Sequence, residues 1–214
     1  MTSRFERQLA VVNQEDLESL DIHMAGAGGI GGITAMLLTK MGCTKLTVYD
    51  FDDIEEHNVS NQIYGPSHLG QPKVDALVEV VKLIDDIDIK TVNDKMTECY
   101  GDILIFAVDS IEIRKSLFEA NKTNFRYLID GRMSAEEAEV FVVDLLEEDQ
   151  IEKYLKSFEG EFQPLPCTAR ATIYNSAIIG GVITSSVKKI AMKQPLQFRT
   201  FIACSDNTMM TFPE

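Results

Sequence analysis

The sequence predicts an α/β fold of the Rossmann-like, doubly wound type, with a parallel nucleotide-binding half and antiparallel strands added in the C-terminal half. Three observations predict it. Short apolar runs alternate with segments of helical apolar spacing, a glycine-rich loop over 26–31 follows the first run, and Asp50 follows the second, nineteen residues after Gly31. This spacing is typical of a loop that holds phosphates at a helix N-terminus and an acid that holds ribose hydroxyls. The chain is therefore expected to bind an adenine nucleotide.

Composition limits the domain organisation and the classes of partner. A length of 214 residues predicts an N-terminal arm with a short helix over 1–20 and a single domain over 21–214. A formal net charge of −14 provides no basic field for nucleic acid or an anionic membrane. The four cysteines form no C-x-x-C pair, so no structural zinc is expected. Without an apolar leader or a membrane-length run, we expect a reduced, cytoplasmic protein.

Helix and strand signals in the first half of the chain follow the order expected of this fold. Asn13 is a good N-cap for a short helix, and Gly42 is suited to end the helix after the glycine loop. The apolar residues between 73 and 84 recur at helical spacing, and the run over 102–108 has the near-continuous apolarity of a strand buried on both faces. The predicted strands are 22–25, 46–49, 87–92 and 102–108, and the predicted helices are 30–41 and 73–84.

The second half of the chain is predicted to complete the sheet with antiparallel strands. Alternating strands and helices favour a doubly wound sheet, and the turn residues over 205–207 indicate a terminal hairpin. The predicted helices are 111–121, 149–158 and 171–191, and the predicted strands are 127–129, 140–145, 198–203 and 208–212.

Several short motifs accompany the glycine loop, which itself reads G-x-G-G-x-G. Asp50-Phe51-Asp52 forms a D-x-D motif, and Asn58 and Gln62 lie in the polar connection after it. Lys73 opens a predicted helix, and Asp109 directly follows the fourth predicted strand. Each motif is weak singly, but together they are specific.

The combined motifs resemble those of the ThiF/MoeB/HesA superfamily, which has the adenylating fold of the E1 ubiquitin-activating enzymes. The resemblance covers the chain from about Ser3 to about Met192. It implies that the nucleotide is ATP with Mg²⁺. It also implies that the second substrate is a small ubiquitin-fold or sulfur-carrier protein with a C-terminal Gly-Gly tail. The tail carboxylate attacks the α-phosphate and releases pyrophosphate.

The resemblance also implies a role for each motif residue. Asp50 is the implied ribose ligand, Lys73 the cation on the triphosphate and Asp109 the carboxylate that holds Mg²⁺. The segment over 3–8 is similar to the family's N-terminal arm, which implies a homodimer in which Arg7 acts in the active site of the other subunit. The implied nucleotide-binding residues are Gly26, Gly28, Gly29, Gly31, Asp50, Asp52, Asn58, Asn61, Gln62 and Lys73.

Asn61 departs from the family pattern, which has an arginine before the glutamine. Because this departure removes a phosphate cation, we expect Arg132 to supply a replacement guanidinium, with Arg170 as a second candidate. Cys167, which precedes a predicted helix, resembles the cysteine that accepts the activated tail as a thioester in eukaryotic E1 proteins. A free cysteine is also a common small buried residue, so both interpretations stand.

Two other functions are compatible with a nucleotide-binding loop. An NAD-dependent oxidoreductase is disfavoured because hydride transfer needs neither Lys73 nor the polar residues from Asn58 to Gln62, and because little chain is left for a substrate domain. A non-catalytic relative that binds nucleotide or partner as a scaffold is the other alternative, and Asn61 is the residue that supports it.

Overall fold

The computed structural model describes residues 4–159 and 172–213. Eight strands form one mixed sheet in the order β3-β2-β1-β4-β5-β6-β7-β8. The strands are β1 Ile22–Ala25, β2 Leu46–Tyr49, β3 Lys90–Val92, β4 Ile103–Phe106, β5 Tyr127–Ser134, β6 Glu137–Asp144, β7 Arg199–Ala203 and β8 Thr208–Phe212. The helices are α1 Gln14–Ser19, α2 Gly29–Met41, α3 Lys73–Ile84, α4 Ile111–Asn121, α5 Glu148–Lys156 and α6 Ile173–Ala191. Short 3₁₀ turns lie at Glu6–Gln8, Glu56–Asn58 and Pro66–His68.

The direction of the strands confirms the predicted fold class. Strands β1 to β5 pair in parallel, whereas β5 to β8 pair antiparallel. The chain runs outward from β1 through β2 to β3 and then returns to place β4 on the other side of β1. The strand order therefore reverses between β1 and β4, and in open α/β sheets ligands bind outside the carboxyl ends of the strands at such a point.

The apolar core forms two clusters on opposite faces of the sheet. Ile103 and Ile105 of β4 belong to one cluster, and Leu104 and Phe106 belong to the other, because successive side chains of a strand point to opposite faces. Helices α2, α3 and α6 contribute to the first cluster, and α4 and α5 contribute to the second. Both faces of β4 are thus covered, as its continuous apolarity predicts.

Helix ends follow the predicted capping residues. The Asn13 side chain accepts a hydrogen bond from the backbone N–H of Glu15 at the start of α1. Gly42 ends α2 with a φ of 105°, a left-handed conformation that favours glycine. Leu17 of α1 is fully buried in the first cluster, so α1 packs against the sheet domain. The division of the chain at residue 20 stays a prediction.

The lengths of several strands differ from the predicted ones, and β4, predicted over 102–108, covers only Ile103–Phe106. Strands β5 and β6 form a long hairpin that turns at Ala135, where φ is 52°, although the apolar pattern indicates only 127–129 and 140–145. Polar residues such as Ser134 and Glu137 interrupt the apolar runs, but backbone pairing continues through them. Strand β3 is shorter than its apolar pattern because it is the edge strand and pairs only with β2.

Among the residues that the structure describes, no helix has the length and apolarity needed to cross a membrane.

The first turn of α2 packs so closely on the loop just after β1 that only glycine fits at residue 31. A Cβ there would lie 1.9 Å from the carbonyl oxygen of Gly26. We expect Gly31→Ala to lower the free energy of unfolding by about 1–3 kcal/mol, as overpacking does. Gly181 of α6 is the matched control, because a Cβ on it would have no atom of the described residues within 4 Å.

Gly181→Ala is expected to raise the free energy of unfolding by about 0.5–1 kcal/mol, because alanine restricts the unfolded chain more than glycine does. Urea denaturation followed by circular dichroism measures both variants. Equal unfolding midpoints for the two variants would contradict this account of the β1–α2 contact.

Candidate nucleotide-binding site

The glycine loop is held by backbone contacts that exclude side chains. Gly26 has a φ of +102°, and a Cβ on it would lie 2.5 Å from the carbonyl oxygen of Ala107, just beyond β4. A Cβ on Gly29 would lie 2.9 Å from the hydroxyl of Ser176 in α6. At Gly28 the nearest such atom is 3.9 Å away, so the loop is open there. The opening lies at the N-terminus of α2, which has no side-chain cap and whose free N–H groups suit an anion.

Asp50 joins the end of β2 to this loop. One carboxylate oxygen accepts the backbone N–H of Ala27 at 2.7 Å, and the other accepts the N–H of Asp52 at 2.9 Å. The residue is half-buried. Each oxygen keeps a further lone pair, so a fixed carboxylate next to the loop can still accept hydroxyl donors such as those of a ribose.

Lys73 is brought to the same edge by contacts between the loop after β2 and the start of α3. Its backbone N–H donates to the carbonyl of Asp52 at 2.9 Å, and Asp53 forms a β-bridge with Pro72. The Lys73 ammonium lies 2.6 Å from a carboxylate oxygen of Asp52, and the lysine is only 7% exposed. Because an ammonium has three donors, two are left for other acceptors.

The polar segment after β2 contains Asn58, Asn61 and Gln62, whose side chains have different surroundings. The side-chain oxygen of Asn58 accepts the N–H of Glu55 at 2.9 Å and so closes the 3₁₀ turn. The side-chain oxygens of Asn61 and Gln62 are buried and have no hydrogen-bond partner among the described residues. A buried unpaired acceptor costs about 1–3 kcal/mol. Both residues lie beside the glycine loop: the backbone carbonyl of Asn61 would be 3.1 Å from a Cβ on Gly29, and Nε2 of Gln62 would be 3.9 Å from a Cβ on Gly28.

Asp109 lies in the turn between β4 and α4, with its side chain exposed. Capping α4 is not its role, because the hydroxyl of Ser110 accepts the N–H of Ile113 at 3.2 Å. In the described part of the chain no group of three or more His, Cys, Asp or Glu residues is arranged to hold a metal. A Mg²⁺ ion that bridges nucleotide phosphates needs only one or two carboxylates, so a single exposed aspartate beside the phosphate loop fits that role.

Arg132 is held in the second core cluster, at the carboxyl end of β5. Its Nε donates to Asp130 at 2.8 Å, and its guanidinium carbon lies 4.5 Å from the ring centroid of Phe141 and 4.6 Å from that of Phe158. Burial lowers the pKa of Arg132. One terminal nitrogen, Nη2, is buried and finds no hydrogen-bond partner in the part of the chain that the structure describes. The role of Arg132 as a replacement phosphate cation stays a prediction.

The N-terminal arm is attached at the far end of α2 from the glycine loop. The Gln8 side chain donates to the carbonyl of Met41 at 2.7 Å, and Arg4 pairs with Asp85 after α3. Helix α2 spans 13 residues, or about 20 Å at the usual helical rise. The exposed Arg7 is therefore remote from the glycine loop of its own chain. Cys167 and Arg170 lie outside the described residues.

Three residues near the site, Tyr64, Ser176 and Arg114, belong to none of the motifs found in the sequence. The Tyr64 hydroxyl donates to the carbonyl of Ala27 at 2.6 Å, Ser176 packs on the loop from α6, and Arg114 contacts the ends of β4 and β5. The first two come from a turn-rich connection and an apolar helix, where single polar residues are ordinary. Only tertiary packing brings them to the site.

Comparison with known proteins agrees with this geometry. A sequence model of the ThiF family matches residues 4–214. The chain belongs to the ThiF family. Ubiquitin-like modifier-activating enzyme 5 of Drosophila pseudoobscura pseudoobscura is 32% identical over 93 residues, which are 43% of this chain and 23% of that protein. The chain spans between 23% and 37% of the length of the curated relatives of this name that it matches.

Solved structures show that the family fold extends over nearly the whole chain. A crystal structure of E. coli MccB with ATP superposes with a TM-score of 0.75 at 17% identity, over 98% of this chain and 71% of that chain. A second E. coli MccB structure, with AMPCPP and MccA, has a TM-score of 0.75 at 16% identity over the same shares, 98% and 71%. At such identities the likeness shows the fold, and it confirms the parallel half with antiparallel strands added to it.

Proposed function

We propose that this ThiF-family chain activates a carboxylate by adenylation. The oxygen of the carboxylate bonds to the α-phosphorus of ATP, the bond to the β-phosphate oxygen breaks, and an acyl-adenylate and pyrophosphate are formed. The observation that carries the proposal is the convergence of the glycine loop, Asp50, Lys73 and Asp109 at one edge of the sheet. A redox dinucleotide needs only the loop and Asp50, whereas a triphosphate with metal also uses the lysine and the exposed aspartate.

The chemistry requires charge neutralisation more than proton transfer. A carboxylate is already ionised at neutral pH, so no general base is needed to make it a nucleophile. Two anionic reactants must meet within a chain of net charge −14. Lys73 would bind phosphate oxygens, and Asp109 would hold Mg²⁺, which supplies positive charge at the leaving pyrophosphate. The open loop at Gly28, with Nε2 of Gln62 as the nearest side-chain atom, fits a bound nucleotide.

The proposed second substrate is a small ubiquitin-fold or sulfur-carrier protein with a C-terminal Gly-Gly tail. The name of the Drosophila relative, a ubiquitin-like modifier-activating enzyme, supports a carrier of this class. The MccB structure that contains both AMPCPP and MccA supports a fold on which a nucleotide and a second molecule bind together. A thioester on Cys167 stays a proposal as well, since the adenylate would be its acyl donor.

Nucleotide preference tests the proposed function. The glycine loop and Asp50 serve both nucleotides, but Lys73 suits a triphosphate, so we expect calorimetry to show tighter binding of Mg-ATP than of NAD. Lys73→Met should weaken Mg-ATP binding at least about tenfold, because hydrogen bonds to charged groups contribute about 1.5–3 kcal/mol, and should leave NAD binding unchanged. Lys45→Met, at an exposed lysine that donates to the carbonyl of Ser19, is the control. Equal or tighter binding of NAD would contradict the adenylation proposal.

Mixing of inactive variants tests whether the N-terminal arm acts across the proposed homodimer. Because Arg7 is remote from its own glycine loop, we propose that each site takes Lys73 and Asp109 from one chain and Arg7 from the other. Arg7→Ala and Asp109→Asn dimers should each be nearly inactive in ATP–pyrophosphate exchange with a Gly-Gly carrier. After equal mixing, about half the dimers are hybrids with one intact site each, so activity should recover to about a quarter of wild type.

A second mixture of variants tests whether activity recovers on mixing without contribution of Arg7 from the other subunit. Lys73→Ala and Asp109→Asn affect the same chain's half of the site, so their hybrids contain no intact site and should show no recovery. Native mass spectrometry establishes subunit exchange in both mixtures. Absence of recovery in the Arg7 mixture despite exchange would show that the arm does not act across the dimer.

A further inference from the structure

A buried ionic cluster lies beneath the carboxyl ends of β4 and β5, next to the candidate site. The side chains of Arg114, Asp130 and Arg132 are 4%, 0% and 5% exposed. One oxygen of Asp130 accepts from Arg114, and the other accepts from Arg132 at 2.8 Å and from the Tyr154 hydroxyl at 2.9 Å. Two cations thus share one carboxylate in the protein interior, which is costly unless every contact is well made.

Arg114 connects this cluster to the backbone that precedes Asp109. Besides Asp130, its guanidinium donates to the carbonyl of Val108 and, at 3.0 Å, to the carbonyl of Gly131. Val108 directly precedes Asp109, so a fixed Val108 carbonyl fixes the plane of the peptide that carries the Asp109 N–H. A planar guanidinium can make these three contacts at once, whereas a lysine ammonium presents one compact charge.

The charge of Arg114 also acts on Asp109. Burial lowers the pKa of Arg114 to about 9, with a further lowering by Arg132, whereas Tyr154 and Asp109 raise it. The group is therefore still cationic at neutral pH. Its positive charge attracts the Asp109 carboxylate.

We propose that Arg114 is a positioning residue that holds the Val108–Asp109 turn so that the Asp109 carboxylate faces the metal-bound phosphates. The assignment rests on the proposed function, since it requires Asp109 to bind Mg²⁺ with ATP. Arg114 is too deeply buried to contact the nucleotide itself. Its effect reaches the ligand through the Val108 carbonyl, which fixes the peptide that leads into Asp109.

Arg114→Lys tests the proposal because it keeps the charge and removes the planar fork. Calorimetry of ATP binding in EDTA and across a Mg²⁺ titration separates a metal effect from a general one. We expect ATP affinity in EDTA to stay within about twofold. The half-saturating Mg²⁺ concentration should rise about 10- to 100-fold, as losses of such outer-shell partners typically do. Arg126→Lys is the control, because Arg126 pairs with Asp144 at the amino end of β5 and should leave both quantities unchanged.

A double-mutant cycle shows whether Arg114 acts through Asp109. In the Asp109→Asn background the further change Arg114→Lys should add no loss of Mg²⁺ dependence, because coupled residues are non-additive. Additive losses, or weaker ATP binding in EDTA, would overturn the proposal and leave Arg114 a purely structural residue.

If Arg114→Lys does not fold, Asp130→Asn loosens the same guanidinium while keeping the shape of the side chain. The half-saturating Mg²⁺ concentration should again rise, and an unchanged value would overturn the proposal.

Failure of the proposed function gives a different result. In that case Mg²⁺ does not strengthen ATP binding to the wild-type chain, and Asp109→Asn has no effect on it. If only the positioning role is wrong, Asp109→Asn abolishes the Mg²⁺ effect and Arg114→Lys leaves it intact.

Discussion

The close contact between the backbone at Gly26 and the carbonyl of Ala107 is the constraint on which the rest of the site depends. It brings the carboxyl end of β1 against that of β4, at the point where the strand order reverses. The N-terminus of α2 and the turn that carries Asp109 therefore lie at one edge. The backbone N–H groups of Ala27 and Asp52 donate hydrogen bonds to the Asp50 carboxylate, and these contacts bring the end of β2 to the same edge. A side chain larger than hydrogen at residue 26 would separate these parts.

Charge is the second constraint on the site. The chain has a net charge of −14, and three described cations near the candidate site are already paired: Lys73 with Asp52, and Arg114 and Arg132 with Asp130. A triphosphate and a carboxylate would bring further negative charge to the same edge. Under the proposed function, this imbalance is met by Mg²⁺ on Asp109 and by Arg7 from a second subunit.

The parts of the site that depend on local sequence could be predicted. The glycine loop, the helix that Gly42 ends and the strand that leads to Asp50 follow from short-range patterns of glycine and apolar residues. The fold class followed from the alternation of these elements and from the motif resemblance, and the ThiF-family match confirms both. Patterns of this kind report which residues share an element, and the fold then places the carboxyl ends of neighbouring strands together.

The parts that depend on tertiary contacts could not be predicted. Nothing near Arg132 in the sequence indicates that its side chain packs among aromatic rings, because Tyr154 and Phe158 come from α5 and the residues just after it. The sequence likewise does not indicate that Arg114 pairs with Asp130 or that Lys73 is buried against Asp52. The full length of the β5–β6 hairpin could not be predicted, because its strands contain polar residues and apolar spacing reports burial but not backbone pairing.

Carboxylate-dependent ATP–pyrophosphate exchange tests the central claim most directly. The assay uses ATP, Mg²⁺, labelled pyrophosphate and a ubiquitin-fold protein that ends in Gly-Gly, compared with the same protein after amidation of its terminal carboxylate. The account predicts that label enters ATP only with the free carboxylate, and that Asp109→Asn abolishes the exchange. Tight Mg-ATP binding without exchange for any such carrier would contradict it and would favour a scaffold that binds nucleotide without activating a carboxylate.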